Sequence, residues 1–221
     1  MTDTRIDLIR HGRVDGPAAM YGSTDVPLHA DGWLQLQQAA TSVELPDLLI
    51  SSPKQRCLHF ARQFAEQQQL PLQVLDDLRE YDFGDWDGIP FSQLFGDPQD
   101  NPAGWQRLQR FSEQPALYPV PGGETIDQVY ERVTRVFQQL QQQHQGKHIM
   151  VFCHGAVIRL ILASLLPVDW RSGDWFSRLS IAYGSRSRIR IPQHPYAFAQ
   201  VECIGSLPPD VVHMAHPEGN S

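Results

Sequence analysis

Short apolar runs recur along the chain at Ile6–Ile9, Asp47–Ile50, Leu72–Leu75, Ile149–Cys153, Leu179–Tyr183, Ser187–Ile191 and Phe198–Cys203. Each is bounded by polar or turn-forming residues, the pattern of buried strands. Between them, apolar positions repeat at helical spacing. A first helix is predicted from Asp31 to Ser42, with the Asp31 carboxylate at its positive end, and a second from Pro53 to Gln68, stopped by Leu70-Pro71. A third, from Glu124 to His144, places Ile126, Val129, Val133, Val136, Phe137 and Leu140 on one face, with Gly146 beyond its end. The fourth runs from Gly155 through Val157, Ile158, Leu160, Ile161 and Leu165 to Pro167. Alternating strands and helices imply an α/β fold of three layers, α/β/α, around a mostly parallel central sheet.

Residues 79–122 break the rhythm, with Trp86, Phe91, Phe95, Trp105 and Phe111 scattered among Pro, Gly and Asp. They are expected to form a small inserted cap with short helices over the strand ends, where substrate selection resides; a packed surface excursion fits the composition as well. The glutamines at 138–139 and 141–143 read as a solvated helix face. One domain is expected over 1–206, followed by a poorly ordered tail at 207–221 whose His213 and His216 face solvent.

With 221 residues, 41% of them hydrophobic, the chain suffices for one sizeable core. The net charge of -7 argues against nucleic acid or an acidic membrane as partner, and confines any phosphate site to a local pocket. Cys57, Cys153 and Cys203 are too few and too irregular for a disulfide framework or a zinc ribbon, which suggests a reducing compartment. No leader is apparent, and the longest apolar stretch, near Ala156 to Val168, is too short for a bilayer. A cytoplasmic location is expected; the oligomeric state is left open.

The chemistry gathers at strand ends. The first strand delivers Arg10, His11 and Gly12: a guanidinium that can fork onto phosphate oxygens, a nucleophilic imidazole, and a residue that lets backbone approach an anion. Arg56 falls in the first turn of the second helix, where free amides favour an anion. Glu80 comes after the third strand, and His154 closes another at a helix start. In an open parallel sheet these groups converge outside the carboxyl ends of the strands. Singly, each has a structural reading: Arg56 paired with a surface carboxylate, Arg10 with Glu80, His154 as a satisfied core histidine.

Taken in order, LIRHG at 8–12, YGSTDVPL at 21–28, SSPKQRC at 51–57, LREYDFGDWDG at 78–88, PGGET at 121–125 and CHGAVIR at 153–159 resemble the histidine phosphatase superfamily, which includes the phosphoglycerate mutases. The DFGDWDG and PGGET segments are most similar to the alpha-ribazole phosphatase branch of cobalamin synthesis. The resemblance implies a phosphoglycerate mutase-like fold and a phosphomonoesterase that acts on a small phosphorylated metabolite, with no metal and no cofactor. It implies that His11 becomes a phosphohistidine, that Arg10, Arg56 and His154 stabilise the transferring phosphoryl group, and that Glu80 protonates the leaving oxygen, aided by shielding from Phe83 and Trp86. The acid-phosphatase branch carries an Asp after its second histidine; here Gly155 stands there, which moves the proton to Glu80 and leaves Gly155 among the substrate-binding positions. Asp82 and Glu124 are weaker candidates, Glu124 reading better as a helix or loop cap.

The chain departs from the pattern where Pro17 replaces a phosphate-contacting Asn, so Tyr21, Ser23 or the Gly22 amide is expected to take that role. His29 stands where Ser or Thr caps the first helix, a loss of about 1 kcal/mol if nothing replaces the cap. Mutase or fructose-bisphosphate phosphatase activity is the alternative enzyme reading, the compact cap arguing against the water exclusion a mutase needs. A catalytically silent phospho-ligand-binding protein is the alternative of another class.

Overall fold

The computed structural model describes residues 2–194 and 196–208. Of the expected tail at 207–221, residues 209–221, with His213 and His216, lie outside the described residues. Strand β1 (Thr4–Arg10) is central, β2 is Leu48–Ser51, β3 Leu72–Val74, β4 His148–Cys153, β5 Arg186–Ile191 and β6 Gln200–Ser206. They form one six-stranded sheet in the order β3-β2-β4-β1-β5-β6. The first four in that order run parallel, while β5 is antiparallel to β1 and to β6. Parallel strands must be covered on both faces, and they are. Helices α1 (Ala30–Thr41) and α2 (Gln55–Gln68) pack Leu36, Phe60 and Phe64 against Ile9, Met150 and Phe152 on one side. On the other, helices spanning Ile126–Gln143 and Gly155–Ala163 bury Val129, Val133, Ile158 and Ile161 over Ile6, Leu8 and Val151.

Local chemistry explains the boundaries. At His29 the ring Nδ1 accepts the Asp31 N–H at 3.1 Å, so the histidine itself supplies the cap that seemed lost. Helix α2 starts at Gln55 rather than Pro53, because Asp25 reaches across to accept the Gln55 N–H at 2.8 Å. The long helix starts at Ile126 rather than Glu124, since Thr125 and Gln128 exchange side-chain and backbone bonds in a capping box. The helix after His154 stops at Ala163, short of the expected Pro167.

One predicted strand does not form. Leu179–Tyr183 is largely apolar, but it joins no ladder and ends in a turn at Tyr183. The Leu179 carbonyl accepts from Arg159 and the Ile181 carbonyl from Arg10, so side chains take the groups a neighbouring strand would need. A short helix that the periodicity missed, Gly173–Arg178, precedes it.

Within 79–122 lie helices α3 (Phe91–Leu94) and α4 (Pro102–Glu113). In chain order the remaining helices are α5 (Ile126–Gln143), α6 (Gly155–Ala163) and α7 (Gly173–Arg178). Trp86, Phe95 and Val120 make a separate small cluster with Phe91, Trp105 and Phe111 around them. Trp86 meets Phe95 and Phe111 edge-on, with ring centroids 5.5 and 5.7 Å apart. Among the described residues no helix is long and apolar enough to cross a membrane.

Candidate active site

The β1–β4 ladder brings the two histidines together. Arg10 is the register partner of Cys153, the next residues are His11 and His154, and the His11 N–H donates to the Cys153 carbonyl at 2.9 Å. Their rings meet edge-on with centroids 5.2 Å apart. A Cβ on Gly12 would overlap the Gly32 backbone in α1, so helix packing by itself already requires a glycine there.

His11 is buried, and its Nδ1 lies 2.8 Å from the Gly12 carbonyl oxygen. A carbonyl can only accept, so Nδ1 carries the proton and the lone pair sits on Nε2. Burial, then the charges of Arg56 and Arg10, hold the imidazole well below its ordinary pKa of 6.5, and it is neutral at physiological pH. Burial and the same two arginines keep His154 neutral as well, with a further contribution from His11. His154 Nε2 lies 2.7 Å from the Ser52 hydroxyl and 3.7 Å from the Cys57 sulfur.

Arg56 is fully buried, in the first turn of α2 as predicted. Its guanidinium donates to the carbonyls of Tyr21, Gly22 and Thr24, holding the 21–24 loop against the sheet edge. Arg10 donates to the Ile181 carbonyl at 2.5 Å and lies over the Tyr183 ring, 4.0 Å from its centroid. Arg10 Nε, Arg56 Nε and His154 Nδ1 are buried with no hydrogen-bond partner among the described residues. Two guanidinium N–H groups left bare beside two neutral imidazoles suit an anion with several acceptor oxygens.

The loop expected to replace the missing Asn does something else. Tyr21 donates its hydroxyl to the Pro17 carbonyl at 2.7 Å, and the Ser23 hydroxyl goes to Asp82. The N–H groups of Gly22, Ser23 and Thr24 all point to the Asp87 carboxylate, at 2.9, 2.8 and 2.8 Å. Tyr21, Gly22 and Ser23 therefore have these donors committed away from the pocket, and the loop contributes by presenting carbonyls to Arg56.

Glu80 reaches toward the start of α6: one carboxylate oxygen accepts the Tyr81 N–H at 3.0 Å and the other lies 3.5 Å from the Ala156 nitrogen. Gly155 lies against Arg10, and a Cβ there would touch the Arg10 guanidinium at ordinary contact distance and crowd that of Arg159. A cleft of about 310 Å³ opens beside Arg10, Glu80 and Gly155, walled by Tyr81, Phe83 and Phe111. Of the two expected aromatic shields, Phe83 faces this cleft, whereas Trp86 turns into the cluster of Phe95 and Phe111. Arg159 also lines the cleft; it and Ser52 are site residues that sequence reasoning missed, although they sit within the CHGAVIR and SSPKQRC motifs. Among the described residues no group of three or more His, Cys, Asp or Glu side chains is placed to hold a metal ion.

Known proteins resemble this chain in sequence and in fold. The histidine phosphatase superfamily (branch 1) matches residues 6–203. The adenosylcobalamin/alpha-ribazole phosphatase of Escherichia coli is 30% identical over 209 residues, covering 91% of this chain and 96% of that protein. Phosphoserine phosphatase 1 of Hydrogenobacter thermophilus is 28% identical over 170 residues, 75% of this chain and 77% of its own. Among solved structures, the alpha-ribazole phosphatase of Shigella flexneri superposes with a TM-score of 0.73 at 27% identity, covering 91% of this chain and 96% of that one. With paired histidines on adjacent parallel strands, flanking arginines, and a family match spanning nearly the whole sheet, the chain belongs to the histidine phosphatase superfamily (branch 1).

Proposed function

We propose that the protein is a metal-independent phosphomonoesterase that works through a phosphohistidine at His11. The observation that carries this reading is the His11–Gly12 contact, which leaves Nε2 unprotonated on a buried ring flanked by the bare cationic donors of Arg10 and Arg56. In the first step Nε2 forms a bond to phosphorus as the bond from phosphorus to the ester oxygen breaks, and Glu80 gives that oxygen its proton. In the second, the Glu80 carboxylate takes a proton from water, the water oxygen attacks phosphorus, and the bond to His11 breaks to release phosphate. Arg10 and Arg56 spread positive charge over the equatorial oxygens throughout. If the Ser52 hydroxyl donates to His154 Nε2, the His154 proton sits on Nδ1 and becomes a further donor to the phosphoryl group.

For the substrate, the walls of the cleft favour an ester whose alcohol carries an apolar or aromatic body, with 79–122 acting as a cap on one domain spanning 1–206. Alpha-ribazole phosphate, the ester of a benzimidazole nucleoside, fits that chemistry, and the Escherichia coli relative is named for it. The three free thiols suit a reducing cytoplasm. Turnover of p-nitrophenyl phosphate in the presence of a chelator, with acid-labile, base-stable phosphate trapped on the wild type and absent from His11→Ala, tests the mechanism. Full loss of activity in chelator with recovery on adding zinc would overturn it. A panel comparing kcat/KM for alpha-ribazole phosphate, phosphoserine, 3-phosphoglycerate and fructose bisphosphate tests the substrate.

A further inference from the structure

Arg132, on α5, is almost completely buried, and every one of its five N–H groups is used. Nε and Nη2 grip the two oxygens of Glu124 at 2.8 and 2.7 Å. Nη1 donates to the carbonyls of Asp77 and Arg79 at 2.9 and 2.7 Å, and Nη2 also donates to the carbonyl of Glu80 at 3.0 Å. Glu124 in turn accepts the Asp82 N–H at 3.2 Å and the Arg79 guanidinium at 3.0 Å. One buried ion pair thus holds the backbone on both sides of Glu80 and at Glu80 itself.

A bidentate guanidinium–carboxylate pair has fixed geometry, and carbonyls bound to its remaining N–H groups inherit that geometry. The Glu80 carboxylate adds only the Tyr81 N–H and a 3.5 Å approach to Ala156, so its direction depends on its own backbone. We infer that Arg132 and Glu124 are positioning residues for the Glu80 proton donor: they aim its carboxyl at the leaving oxygen and do not touch the substrate. This inference rests on the reading of Glu80 as the acid. It also removes Glu124 as a rival acid, because both its oxygens are taken up by cations.

The test separates positioning from folding through the leaving group. The alcohol of p-nitrophenyl phosphate departs without a proton, whereas that of 2-phenylethyl phosphate needs one. Glu80→Gln is expected to lose about a hundredfold more kcat/KM on the alkyl ester than on the aryl ester. Arg132→Lys and Glu124→Gln are expected to show the same asymmetry at roughly tenfold, each with a cooperative melting transition. Equal losses on both esters in Arg132→Lys and Glu124→Gln, or no loss, would overturn the positioning role. A Glu80→Gln variant without asymmetry would overturn the acid itself and the clamp's purpose with it. If Arg132→Lys does not fold, Glu124→Gln, which keeps the carboxylate's shape, decides the matter alone.

Discussion

His11 Nδ1 sits 2.8 Å from the Gly12 carbonyl oxygen, and this contact selects the tautomer on which the proposed chemistry depends. The phosphoryl group is expected on Nε2, and phosphorus–nitrogen coupling in an isotopically labelled phosphoenzyme would reveal it. Phosphate found on Nδ1 would require the contact to break.

Burial and the charges of Arg56 and Arg10 place the folded pKa of His11 well below 6.5, as burial and the same arginines do for His154. The unfolded chain takes up protons near 6.5 that the folded chain refuses, so both groups contribute full stability above that pH and lose it as the pH falls below. Urea midpoints should therefore drop between pH 7 and pH 5, while the rate of phosphoenzyme formation from p-nitrophenyl phosphate shows no histidine-like break near 6.5. A rate that falls tenfold per unit from pH 6.5 downward would contradict a neutral, buried nucleophile.

Ser52→Ala removes the hydroxyl that lies 2.7 Å from His154 Nε2. Leaving that nitrogen unsatisfied should cost about 1–2 kcal/mol, seen as roughly tenfold in kcat/KM and as a change in the His154 tautomer by nitrogen NMR. Unchanged kinetics would mean that Cys57, at 3.7 Å, suffices to orient the ring.

Asp87 gathers four N–H groups, those of Gly22, Ser23, Thr24 and Phe83. Although burial opposes its charge, hydrogen bonds from Thr24, Ser23 and Phe83 hold its carboxyl below the ordinary 3.8. Asp87→Asn is expected to destabilise the fold by about 1–2 kcal/mol and, by loosening the carbonyls that grip Arg56, to raise KM for phosphate esters more than it lowers kcat. Denaturant titration and steady-state kinetics on the same preparation check both halves.

Asp7 is completely buried on β1, 2.7 Å from His148 Nε2 and bonded twice by Arg188 at 2.7 and 2.8 Å. Asp7→Ala leaves those partners without their anion and should cost about 3–5 kcal/mol, read as a fall in the urea midpoint. Burial raises the Asp7 pKa, but His148 and Arg188 outweigh it and the net shift is downward, so this contribution persists above 3.8 and fades as acid carries the pH through the lower folded value.

Part of the site could be read in the sequence because the two histidines each follow a buried run. Ile6–Ile9 and Ile149–Cys153 are apolar enough to be strands on their own, and the residues just beyond them, His11 and His154, must then lie at one edge of the sheet. The same reasoning fails where side chains rather than strands satisfy the backbone. Leu179–Tyr183 has strand composition, yet Arg10 and Arg159 take its carbonyls, and no local pattern records a guanidinium arriving from distant residues. Likewise Tyr21, Gly22 and Ser23 look like free donors until Asp87, Asp82 and the Pro17 carbonyl are placed beside them. Ser52 and Arg132 matter only through contacts made across the fold, with His154 at 102 residues' separation and with Asp77–Glu80 at 52 to 55.

The two imidazoles owe their mutual distance to a single rung, Arg10 opposite Cys153. Because side chains alternate between the faces of a strand, one residue added or lost just ahead of either histidine would swing that ring to the opposite side and leave the other facing an unmatched partner. Helices, cap and connecting loops can lengthen or shrink as lineages diverge, and engineers can graft new selectivity there. The single peptide unit between the last rung and each histidine tolerates no such editing, so an insertion at that point is expected to yield a folded but inert protein.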